Sequence, residues 1–212
     1  MGLFCFKMSE MAIKAIGFDL GGVLIQNSIH LFYERTMKKL GVTMAQLQPI
    51  FEEVEKPFER GEMSPEQFWQ EVARRLGKDY DPAMLDLWVG NLKQQTPEIP
   101  HMLNLVDRLR ANGYKLGLLS NTTAPHVAIN KTRHIFERFD EALMSNEIGC
   151  RKPDQEAFEK LVAVLAVKPE EMIFIDDLPE NVAGAEALGI HAIKFNGYEP
   201  LVAELQTLGV RV

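Results

Sequence analysis

At 212 residues the chain is long enough for one sizeable core, or for one core with a small accessory unit. Its 46% hydrophobic and 25% charged residues match an ordinary globular protein and exclude a largely disordered one. The net charge of −7 comes without any basic run, which excludes a surface built to grip a nucleic-acid backbone.

Residues 1–10 are mildly apolar around Leu3 to Phe6, but too short for a secretory core or a membrane span. They read as an extension outside the fold. The two cysteines, Cys5 and Cys150, lack metal or redox spacing and read as free thiols of a reducing compartment. The expected location is the cytoplasm, with no membrane or nucleic-acid partner; oligomeric state is not legible.

Ile13 to Phe18 is a short run of β-formers ending at Asp19, with Gly21-Gly22 behind it, and predicts a buried parallel strand feeding a tight loop. From His30 to about Leu92 the apolar residues fall at helical spacing instead, as in Phe32, Met37 and Leu40, then Phe68, Val72 and Leu76. Breaks at Gly41, at Gly61 with Ser64-Pro65, and at Asp81-Pro82 divide this stretch into about four helices. Thr96 to Pro100 reads as a return linker.

Beyond it helix and strand alternate. Helices are expected at His101–Ala111, His126–Arg133, Gln155–Ala166, Asn181–Leu188 and Glu199–Leu208, with strands at Lys115–Leu119, Ala142–Met144, Met172–Ile175 and Ile190–Lys194. The fold class is therefore α/β: a Rossmann-like parallel sheet with helices on both faces and an inserted all-helical unit. The expected division is a core of residues 11–25 and 97–212 and a helical unit of residues 26–96.

In such a sheet the site lies beyond the carboxyl ends of the strands. Those ends carry Asp19, Ser120-Asn121-Thr122 and Asp176-Asp177, and Lys152-Pro153-Asp154 precedes a helix. A carboxylate nucleophile, a hydroxyl donor, a cation and an acidic pair are what phosphoryl transfer uses. Two adjacent carboxylates at a strand end repel each other and make sense beside a cation.

Phe18-Asp19-Leu20-Gly21-Gly22-Val23-Leu24, Leu119-Ser120-Asn121-Thr122, Gly149-Cys150-Arg151-Lys152-Pro153-Asp154 and Phe174-Ile175-Asp176-Asp177-Leu178-Pro179-Glu180-Asn181 resemble the four ordered motifs of the haloacid dehalogenase superfamily. The helical insertion resembles the cap of one of its subclasses. The resemblance implies a hydrolase, with Asp19 as nucleophile, Ser120 bonding the transferred group and Lys152 balancing charge. It further implies Asn121 and Gly22 against substrate, and Mg²⁺ held by Asp19, the Gly21 carbonyl, Asp176 and Asp177, with Asp177 the most direct ligand. A small phosphorylated substrate is implied, sugar phosphates first. Glu59 to Ser64 resembles the cap loop that screens substrates; a plain helix–helix turn with Ser64 as N-cap explains the same residues.

One position departs from the phosphatase pattern. The family's second Asp, which protonates the leaving oxygen and later activates water, is replaced by Gly21. General acid–base help of roughly 10²–10⁴-fold is then missing or supplied from elsewhere. Three explanations stand. A good leaving group lowers the demand for an acid, and some sugar 1-phosphate phosphatases and phosphatase-like domains of the superfamily keep Gly here. Dehalogenases and phosphonate-cleaving members also lack this Asp. The dehalogenase branch shows Tyr-Gly-Thr where this chain has Gly-Gly-Val, and the phosphonate branch needs a cap lysine, for which Lys38, Lys39 and Lys56 are the candidates. The third explanation is a module that binds without catalysis.

Overall fold

The computed structural model describes residues 12–27, 29–89 and 96–212. The predicted extension over residues 1–10 and the 90–95 end of the predicted helical stretch lie outside the described residues.

Five short strands form the sheet: β1 (Ala15–Phe18), β2 (Lys115–Ser120), β3 (Glu141–Met144), β4 (Met172–Asp176) and β5 (His191–Lys194). They pair in parallel in the order β3-β2-β1-β4-β5. The order reverses beside β1, so a crevice opens at the carboxyl ends of β1, β2 and β4.

Alternation along the strands supplies both faces of the sheet. Ile16, Phe18, Leu116, Leu118, Ile173 and Ile175 pack on one side against α5 (Pro100–Ala111), α6 (Ala124–Lys131) and α10 (Tyr198–Thr207). Ala15, Leu119, Met172 and Phe174 pack on the other against α8 (Gln155–Leu165) and α9 (Pro179–Ala187). A short helix, α7 (Ser145–Ile148), follows β3.

Helices α1 (Ile29–Leu40), α2 (Met44–Glu59), α3 (Pro65–Arg75) and α4 (Leu85–Val89) carry a hydrophobic cluster of their own. Phe51, Phe58, Phe68 and Trp69 are fully buried there, and Phe32 stacks on Phe51 at 5.6 Å between centroids. Ser64 is the N-cap of α3: its hydroxyl accepts from the Gln67 amide at 3.1 Å while Gln67 Oε1 accepts from the Ser64 amide at 2.7 Å. Helix α2 runs through Pro49 and Pro57, where a break would be expected; its buried row Leu47, Phe51, Val54 and Phe58 outweighs the lost bonds.

The chain leaves and re-enters the sheet layer through two segments that run side by side. Gln26 donates to the Pro97 carbonyl at 2.9 Å and Ile99 to the Leu24 carbonyl at 2.8 Å. The buried Arg133 guanidinium donates to the Thr96 carbonyl and, at 2.9 Å, to its hydroxyl, fixing the return segment to α6's end. Among the described residues no helix is long and apolar enough to cross a membrane.

Candidate active site

Asp19 follows β1 directly. Its amide donates to the Ile175 carbonyl at 2.9 Å, which holds it level with the end of β4. The residue is 8% exposed. Lys152, 1% exposed, reaches it from the loop before α8. The Nζ atom donates to Asp19 Oδ1 at 2.6 Å and to Asp176 Oδ2 at 2.6 Å, and lies 5.2 Å from the centroid of the Phe174 ring. A buried ammonium is tolerated only with such partners, and these two carboxylates hold its pKa above the ordinary lysine value against the cost of burial.

The carboxylates respond in the opposite direction. Burial pushes Asp19 up to about 7, with Asp176 adding to the rise and Lys152 opposing it. Burial also raises Asp177, again reinforced by Asp176. One ammonium thus faces three carboxylates. Oxygens of Asp19, Asp176 and Asp177 lie within 4.8 Å of one another. An all-oxygen set with excess negative charge can hold a hard divalent cation. Asp176 is already engaged on both oxygens, by Lys152, by the Leu178 amide at 2.9 Å and by Asn181 Nδ2 at 3.0 and 3.1 Å. Asp177 has no ion-pair partner among the described residues, so its capacity for a metal is the greater.

Gly22 sits at φ +82°, and a Cβ there would stand 2.2 Å from Asp177 Oδ2. A side chain would therefore displace the carboxylate. Gly21 is different: its backbone is outside the left-handed region and a Cβ meets nothing within 4 Å. The position of a Cβ, the first atom of an acid/base side chain, is open.

Ser120 closes β2 and is 4% exposed. Asn121 bonds to the backbone of Lys152. Its Oδ1 accepts from the Lys152 amide at 2.8 Å and its Nδ2 donates to the Lys152 carbonyl at 2.8 Å. These two bonds tie Asn121 to the lysine's backbone and so position Lys152. The structure thus brings Asp19, Ser120, Lys152, Asp176 and Asp177 to one end of the sheet. The expected list lacked Asn181, which orients Asp176; its signal was its place in the last motif. It also lacked Arg151, whose Nε donates to Glu59 Oε2 at 2.7 Å across the seam with α2.

This chain belongs to the haloacid dehalogenase-like hydrolases, whose family model matches residues 13–189. A predicted HAD-like family hydrolase from Porphyromonas gingivalis is 32% identical and superposes with a TM-score of 0.73 over 92% of this chain and 98% of that one. A HAD family enzyme from Bacteroides thetaiotaomicron, solved in complex with magnesium and inorganic phosphate, is 25% identical with a TM-score of 0.71, covering 90% and 99%. The sesquiterpene phosphatase astK of Aspergillus oryzae is 27% identical over 92% of this chain and 96% of its own length. Curated relatives range from that protein to one of which this chain spans only 19%.

Proposed function

We propose that the protein is a Mg²⁺-dependent cytoplasmic phosphatase of small phosphomonoesters, sugar phosphates first among them. The observation that carries this reading is Lys152 Nζ held 2.6 Å from both Asp19 and Asp176, with Asp177 alongside. In this reading Asp19 is the nucleophile. Its carboxylate oxygen forms a bond to phosphorus as the ester oxygen leaves, and water then attacks phosphorus and frees the aspartate. Lys152 opposes the rise that burial causes in the Asp19 pKa, favouring the ionised nucleophile, and offsets charge on the transferred group. Ser120 donates to that group. Asp19, the Gly21 carbonyl and Asp177, with Asp176 beside them, would hold Mg²⁺, which would supply charge neutralisation at the phosphoryl oxygens. No side chain at Gly21 protonates the leaving oxygen, so solvent does. The helices α1 to α4 act as the cap over this end of the sheet.

The resemblance to phosphatases and the neighbour crystallised with magnesium and phosphate support the reading. The phosphonate-cleaving alternative loses ground, because Lys38, Lys39 and Lys56 are all exposed and Lys39 pairs with Asp81 at 2.6 Å.

The test is phosphate release from a panel of phosphomonoesters with Mg²⁺, wild type beside Asp19→Asn. Removal of the nucleophile is expected to cost at least about 10³-fold in kcat. Release no greater than the variant's, for every compound, would reject the proposal.

A further inference from the structure

Four of the five residues gathered at the site stand where the sheet puts them. Asp19 follows β1, Ser120 closes β2, Asp176 closes β4 and Asp177 follows it. Lys152 stands on a loop, between α7 and α8. Its Nζ still meets Asp19 and Asp176 at 2.6 Å each. A group on a loop is only as well placed as the contacts that hold the loop. From the sheet side Asn121 holds it, through the two bonds to the Lys152 backbone.

From the other side the end of α2 holds it. Arg151 Nε donates to Glu59 Oε2 at 2.7 Å, and Arg60 Nη2 donates to Asp154 Oδ2 at 2.8 Å. Two successive residues of one helix end thus grip the residues that bracket Lys152-Pro153. The two bridges have opposite polarity, so exchanging the partners would set like charges together. A Cβ on Gly61 would stand 2.3 Å from the Asn146 carbonyl oxygen, so the turn after α2 also rests on α7 without a gap. The Glu59–Arg151 pair is the drier of the two, with side chains 12% and 21% exposed. Burying an ion pair gains little adhesion, since apolar side chains of similar volume often join two surfaces as well. What the pair supplies is register.

We infer, on the phosphatase reading above, that Glu59 and Arg151 are positioning residues for phosphoryl transfer. The pair locks the Lys152 loop to the helical unit and so sets the ammonium between Asp19 and Asp176. Arg151 directly precedes Lys152, so the loss of its anchor reaches the lysine through a single peptide unit. The effect belongs to the chemical step, because Lys152 offsets charge on the group in transfer. A displacement of about 1 Å can cost a reaction about 10²-fold. A through-space effect of the two charges would act differently. Glu59 repels a dianionic ester and Arg151 attracts it, so reversing each charge would change ester binding in opposite directions. Positioning predicts a loss from both.

The experiment measures kcat and KM for p-nitrophenyl phosphate with Mg²⁺ in wild type, E59R, R151E and the exchanged pair E59R/R151E, well below the melting temperature of each. Hydrogen exchange at the Lys152 amide, the donor to Asn121, is followed in the same four proteins. Each single reversal is expected to lower kcat about tenfold, to change KM by less than about threefold, and to speed exchange at Lys152. The exchanged pair restores an ion pair and should recover most of both losses. KM changes of opposite sign at unchanged kcat would make the effect one of through-space charge and overturn the inference. Unchanged exchange at Lys152, or an exchanged pair no better than the single reversals, would overturn it as well. Each of these outcomes leaves the phosphatase reading intact. A wild type that releases phosphate from no ester of the panel overturns that reading, and with it a role for the pair in this reaction.

Discussion

Two adjacent glycines after the nucleophile do different work. Gly22 is required by geometry, since φ +82° and the approach of Asp177 leave no place for a side chain. Gly22→Ala is expected to destabilise the fold by about 1–3 kcal/mol through left-handed strain alone and to weaken Mg²⁺ binding further by moving Asp177. Gly21 carries no such demand, and open space surrounds the position of its missing Cβ. Gly21→Asp is expected to fold with an unchanged melting temperature and to gain turnover on esters with poor leaving groups, within the roughly 10²–10⁴-fold range of acid–base help. Denaturation curves and steady-state rates on the two variants separate these outcomes. A Gly21→Asp protein as unstable as Gly22→Ala would contradict the geometry.

At the scale of elements, α2 stores an electrostatic cost in Glu55. Burial first, then Glu59, lifts its pKa from the ordinary glutamate value to about 7. The folded form therefore keeps a proton that the unfolded chain has released, and stability falls as pH rises from about 4.5 through 7. Glu55→Gln removes that fall. Its melting temperature relative to wild type should rise between pH 5 and pH 8 by about 2–4 °C, the response of a domain this size to about 1 kcal/mol. Equal differences at both pH values would show that Glu55 is not held in this way.

The same scale shows what the sequence made legible. Strands of alternating or continuous β-formers and the polar residues at their ends were readable because sheet burial has a period of two and the site follows from strand direction. Strand β1 was expected from Ile13 and begins at Ala15, and β4 extends through Asp176 itself. The passage of α2 through Pro49 and Pro57 was not readable, since tertiary burial of Phe51 and Phe58 decides it. Nor were the bonds of Asn121 to Lys152, because that backbone lies 31 residues away. The Arg151–Glu59 pair lies 92 residues apart, across the seam with the helical unit, and no local spacing announces it.

Over the whole molecule, the sheet order brings the ends of β1, β2 and β4 together, and so lets Asp19 and Asp176, distant in the chain, share the Lys152 ammonium. Asp19 and Asp177 both have raised pKa values, chiefly through burial and also through the neighbouring Asp176, and a bound divalent cation would relieve that repulsion. The account stands on Asp19 forming the bond to phosphorus. The most direct measurement is acid quenching during turnover with Mg²⁺, followed by mass analysis of the peptides. A phosphoryl group on the peptide containing Asp19, absent with EDTA and absent in Asp19→Asn, is the predicted result. Turnover with that peptide unmodified at every quench time, or a phosphoryl group on another residue, would contradict it.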